Sequence, residues 1–146
     1  MQDDRKVLEM LFQYRQLLPM LPLADVREIV SYIVNLREYR DHLHVVVTSL
    51  PTETLAAALL SVDREGQEPT DAAIFILRCP PDLRRAILDQ MAVIAPGERL
   101  AQIHAMLDDY ARYTRGIDIL AGMKSARRIR KRTTRNSLRT SARIKA

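Results

Sequence analysis

Residues 124–146 read KSARRIRKRTTRNSLRTSARIKA. They hold ten cations and no carboxylate: Lys124, Arg127, Arg128, Arg130, Lys131, Arg132, Arg135, Arg139, Arg143 and Lys145. The chemistry open to such a run is anion binding. Seven of the ten are Arg, whose planar guanidinium grips a phosphate through two parallel N–H groups and also stacks on bases. Arg128, Arg132, Arg135, Arg139 and Arg143 advance by 4, 3, 4 and 4. On a helix these five would form one stripe able to follow a phosphate backbone. Free in solution the arm is expected to be largely disordered, because like charges repel and few large apolar residues (Met123, Ile129, Leu138, Ile144) are present. Arginine-rich segments that bind RNA commonly fold when bound.

Other uses of the arm compete with this one. RRIRKR at 127–132 has the composition of a nuclear import signal, and the whole run could instead dock on an acidic protein surface. An anionic membrane is a poorer fit, since the arm has neither Trp nor Phe to insert. Thr133, Thr134 and Ser137 stand close behind basic residues, where phosphorylation would subtract positive charge.

The remaining reactive side chains suggest little chemistry. His42 and His44 are two residues apart, which on a helix turns them about 200° from each other and prevents them sharing a metal. A structural or solvated pair is expected. His104 and Asp108 lie four apart on one helical face, a spacing that can orient an imidazole for base catalysis. No nucleophile or second acid accompanies them, so a surface or capped-core pair is the better account. The single Cys79 has no disulfide partner in the chain and reads as a small buried hydrophobe. There is no glycine-rich phosphate loop, CxxC, HExxH or EF-hand loop. The expectation is a protein that is not an enzyme, needs no cofactor or metal, and has no small-molecule substrate.

The elements that must carry the arm are acidic. The chain's net charge of +5 conceals a split: residues 1–123 hold 13 basic and 18 acidic side chains. Their surplus of acid would repel phosphate, so the body is expected to meet a protein partner or another copy of itself. The 47% apolar content is ordinary for a globular chain. With four Gly and few alternating patterns, a β-sandwich or barrel is disfavoured. Acids near the N-terminus and the lack of a long apolar run point away from a signal peptide or membrane span. An intracellular location is expected, cytoplasmic, or nuclear in a eukaryote.

Residues 3–19 read as an amphipathic helix on Val7, Met10, Leu11, Tyr14, Leu17 and Leu18, ended by Pro19 and Pro22. Thereafter one device recurs: a proline, an acid within three residues, then an apolar run. It begins at Pro22, Pro51, Pro69, Pro81 and Pro96. Proline at the first helical position loses no hydrogen bond, and an acid in the first turn meets the positive end of the helix dipole. Residues 49–63 and 94–108 also resemble each other at an offset of 45, close to the period of HEAT-type repeats. Over residues 50–108 the proline-started helices resemble those in the intracellular domain of bacterial magnesium transporters and in flagellar rotor switch proteins. That resemblance implies short stacked helices and carries no site or activity with it. Leu100, Ile103, Leu107, Tyr110, Thr114, Ile117 and Ala121 advance by 3 and 4 alternately, a heptad-like seam. One helix is therefore expected from about Gly97 through Gly116 toward the arm.

Together these observations describe an all-α protein, a layered bundle or short HEAT-like solenoid of about six to seven helices. Residues 1–122 are expected to form a helical interaction domain and 123–146 the Arg-rich arm. The expected function is a non-enzymatic adaptor, binding nucleic acid (RNA ahead of DNA) through the arm and protein through the body. The alternative is a protein–protein module, structural or regulatory, whose arm docks on an acidic surface or serves nuclear entry.

Overall fold

A computed structural model describes residues 3–134, and the side chains of 118 and 123–134 fall outside it. Among the described residues the protein is all-helical: α1 (Asp4–Gln13), a 3₁₀ segment (Arg15–Met20), α2 (Leu23–Asn35), α3 (Arg40–Ser49), α4 (Thr52–Ser61), α5 (Thr70–Arg78), α6 (Pro81–Ile94) and α7 (Glu98–Thr134). The expected all-α layered architecture is what the chain adopts. The chain divides into two units, Met1–Leu107 and Asp108–Ala146, so the expected boundary after residue 122 lies inside α7.

Within the first unit, α4 packs between α2 and α6, and α5 lies against all three. α3 packs on α1 and the 3₁₀ segment. The core is aliphatic apart from Phe75, and draws on Val26, Val30 and Ile33 of α2, Leu55 and Leu59 of α4, Phe75 and Ile76 of α5, and Ile87 and Met91 of α6. Leu100 and Ile103 add the first turns of α7 to the same cluster. No single helix among the described residues is long and apolar enough to cross a membrane.

The prolines mark helix starts: three stand one position earlier than expected, Pro81 is at the first helical position as expected, and Pro96 lies two residues before α7. Pro22, Pro51 and Pro69 occupy the N-cap of α2, α4 and α5, and only Pro81 stands inside the first turn, behind Pro80 at the N-cap of α6. At an N-cap the carbonyl still accepts the first helical bond. Thus Val26, Leu55, Ala73 and Arg84 donate to the four proline carbonyls at 2.8–3.2 Å. Proline has no side-chain acceptor for the next free N–H groups. In α5 the gap is filled from outside: the Asp63 carboxylate accepts from the backbone N–H of Asp71 at 3.0 Å and of Ala72 at 3.1 Å. Asp63→Ala is expected to lower stability by ~1–2 kcal/mol, the usual cost of a lost N-cap. Urea denaturation would detect that as a lower midpoint at unchanged slope.

Two expectations about the amino end need correction. The first α-helix stops at Gln13, and residues 15–20 are 3₁₀. Pro19 lacks an N–H and its ring clashes with the carbonyl of Arg15, four residues back, so residues 15–19 cannot close an α-turn. α1 also buries none of its residues. Of the residues that set the helical spacing, Met10, Tyr14 and Leu17 are exposed and only Leu18 is fully buried. Leu11 packs partly against the core, and two polar pins add to it: the Tyr32 hydroxyl donates to the Asp4 carboxylate, and His42 Nε2 lies 2.9 Å from the Asp4 carbonyl.

Candidate nucleic-acid interface and apolar surfaces

α7 is unbroken through Gly116, as expected, and continues to Thr134. Lys124, Arg127, Arg128, Arg130, Lys131 and Arg132 therefore stand on a helical backbone that begins in the core of the first unit. Arg135, Arg139, Arg143 and Lys145 lie outside the described residues.

Several basic residues of the body are already engaged by backbone carbonyls. Arg78 Nη1 donates to the carbonyls of Ile33 at 2.8 Å and Val34 at 2.9 Å, closing the end of α2, while its guanidinium lies 4.1 Å over the Tyr39 ring. Arg84 donates to Ile76, Leu77 and Cys79 carbonyls at 2.9–3.2 Å and closes the end of α5. Arg99 donates to the Gln67 and Arg64 carbonyls at 2.7 and 3.0 Å, clamping the loop before α5. These three cations are structural. Nothing in the sequence marked Arg78 and Arg99, whose partner carbonyls are 32–45 residues away in the chain.

A cleft of about 950 Å³ opens between the starts of α1 and α3. Its rim mixes Arg5, Arg37 and Arg40 with Asp4, Glu38 and Asp41. Equal numbers of opposite charges leave no net attraction for a polyanion. The arm is the one region of the sequence where cations stand without acids.

His42 and His44 behave as a structural residue and a surface residue. His42 is buried, whereas His44 is exposed. A carbonyl only accepts, so His42 Nε2 donates to the Asp4 carbonyl, and the buried Nδ1 has no hydrogen-bond partner among the described residues. His104 and Asp108 are both exposed. Cys79 is buried, and that burial pushes its thiol up to about 12 despite the nearby Arg84 charge. It keeps its proton at neutral pH and fits the small hydrophobe expected. Among the described residues no group of three or more His, Cys, Asp or Glu is placed to hold a metal ion.

No family model matches the chain, and no curated protein or solved structure matches it either. The likeness of its helix starts to other helical proteins stays at that level. What the body does offer is exposed apolar surface. Met10, Phe12, Tyr14, Leu17, Met20 and Leu23 are exposed along α1, the 3₁₀ segment and the start of α2. In the second unit Tyr113, Ile117, Ile119 and Leu120 are exposed on α7. Large side chains of this kind mark contact surfaces when they cluster along one element.

Proposed function

We propose that this protein is a non-enzymatic helical adaptor. Its Arg-rich arm, residues 123–146, binds nucleic acid, with RNA favoured over DNA, and its helical body engages protein. The observation that carries the reading is the segregation of charge: ten cations without one acid from Lys124 onward, behind a body with five more acids than bases. Electrostatic attraction through counterion release supplies affinity irrespective of sequence. The Arg bias favours RNA, whose unstacked bases accept guanidinium planes. The exposed apolar side chains of α1 and the 3₁₀ segment supply a surface for a protein partner.

The test is truncation. A chain ending at Gly122 is expected to keep its helical circular dichroism per residue in the body and its cooperative unfolding. Its affinity for a labelled single-stranded RNA should fall by at least ~100-fold, because the phosphate contacts are gone. Retention of full-length affinity by the truncated chain would sink the proposal. Salt-sensitive capture of a protein by the arm, with no oligonucleotide shift, would instead favour the protein–protein module. In that case Gln at Arg127, Arg128, Arg130, Lys131 and Arg132 would abolish the capture.

A further inference from the structure

We infer that the groove between α1 and α2 is a docking site for a basic amphipathic helix of a protein partner, which seats a large apolar side chain there between flanking Lys or Arg residues. This deepens the adaptor reading by naming the partner's chemistry, and it rests only on the part of that reading in which the body engages protein.

Apolar side chains from both sides make the floor. Val7 and Leu11, four apart on one face of α1, meet Leu21 and Ile29 around a cavity of about 310 Å³. Leu11, Leu21 and Ile29 pack against the core yet stay only partly buried, so the groove is formed before any partner arrives. Its volume is at the low end of the roughly 300–1,000 Å³ usual for ligand pockets, which suits an anchoring side chain rather than a whole helix. Met10, one turn beyond Val7 on α1, is 49% exposed and extends the apolar surface beside the groove.

The rim carries charge of one sign. Asp25 and Glu28, three apart on α2, line the groove and are exposed. Among the described residues no Lys or Arg lines it. Arg27, the single base of α2, turns away, its Nη1 donating to the Ser61 hydroxyl on α4 at 3.2 Å. Arg5 lines a different cleft, with Arg37 and Arg40. The ion pair formed among the described residues is Arg112 with Asp109, which leaves Asp25 and Glu28 without one. Tyr32, also lining the groove, donates its hydroxyl to the Asp4 carboxylate. Partial burial, that hydrogen bond and the charges of Asp4 and Asp3 push the phenol up to about 12; the contributions from the two aspartates mark a negative field.

Floor and rim together select the occupant. Nucleic acid and anionic lipid are repelled by a rim of acids. A neutral apolar segment would cover the floor but desolvate two carboxylates beside it without pairing them. A helix with an apolar side chain and Lys or Arg three or four positions to either side satisfies both, because that spacing puts all of them on one face. Asp25 and Glu28 stand on successive turns of α2, so each can meet a cation from a different turn of the partner.

The test uses the full chain, freed of nucleic acid by nuclease, and three labelled peptides of one helical pattern read by fluorescence anisotropy. The first has a Leu face flanked by Lys, the second Ala in place of Leu, and the third Glu in place of Lys. The Leu–Lys peptide is expected to bind at micromolar concentration and the other two at least ~10-fold more weakly. Asp25→Lys and Glu28→Lys made together should weaken the Leu–Lys peptide at least ~10-fold and strengthen the Leu–Glu peptide by a similar factor, since like charges now face the first and opposite charges the second. That gain also shows that the variant is folded. Glu53→Lys with Asp89→Lys, exposed on α4 and α6, changes the net charge equally and should move neither peptide. No binding of the Leu–Lys peptide, equal binding of the Ala–Lys peptide, or indifference to the rim reversal overturns the site. Competition by a peptide of residues 124–146 as strong as that of unlabelled Leu–Lys peptide assigns the groove to the protein's own arm and equally overturns the proposal. None of the probes carries phosphate, so failure here leaves the nucleic-acid reading standing, and failure of the Gly122 truncation test leaves the groove standing.

Discussion

Between about 50 and 200 mM salt, the affinity of the full chain is expected to fall ~10³–10⁵-fold for a duplex, and roughly 300- to 16,000-fold for a single strand, if roughly six to ten phosphates are engaged. The effect is large because the attraction has few other sources. The body carries a surplus of acid, the cleft at the starts of α1 and α3 has a charge-balanced rim, and Arg78, Arg84 and Arg99 are spent on carbonyls. The binding free energy must then come mainly from ions released when the arm neutralises phosphates. The slope of log affinity against log salt counts them. On single strands it should be about −4 if only the six cations from Lys124 to Arg132 take part, and about −7 if all ten do. Fluorescence anisotropy of a labelled oligonucleotide measures it directly. A slope near zero would mean that the arm is not the binding element.

The arm was legible from composition because a run of cations without acids is a property of sequence alone. The apolar surfaces were not, and α7 illustrates why. Its seam could be read from Leu100 to Ala121 as one periodic series, and the helix does run unbroken through it. Periodicity fixes which residues share a face, but not where the body beneath that face ends. Ile103 is buried and Ile117 is exposed, yet their spacing is equally regular. The same limit applies at α1, whose apolar positions are well spaced and yet include no fully buried residue.

Helix starts divide in a similar way. Proline fixes its own φ covalently, so Pro22, Pro51, Pro69 and the Pro80–Pro81 pair announced four boundaries that the structure keeps, shifted by at most one residue. The break between α2 and α3 has no proline. It depends on extended Leu36 and on Arg78, which closes α2 through the Ile33 and Val34 carbonyls while stacking on Tyr39. Arg78 is 45 residues from Ile33 in sequence, a distance no local pattern spans. Local covalent geometry was readable in advance, and tertiary capping was not.

The chain's two phenylalanines put the same distinction to an energetic test. Phe75→Ala is expected to destabilise the protein by ~3–5 kcal/mol, the range for deleting a buried aromatic ring. Phe75 is 0% exposed and sits on a nine-residue helix packed against α2, α4 and α6. Closing the cavity would require those three helices to move together, and each is already held by its own buried residues. The hole therefore stays open and its cost adds to the lost transfer energy. Phe12 is 55% exposed, on a helix with no buried residue. Its one specific contact is the Arg15 guanidinium 4.1 Å above the ring, so Phe12→Ala should cost no more than ~1 kcal/mol. Urea denaturation of the two variants gives both numbers in one experiment. Equal costs would mean that α5 is not the centre of the core, and with it would go the stacking of α2, α4 and α6 around that helix.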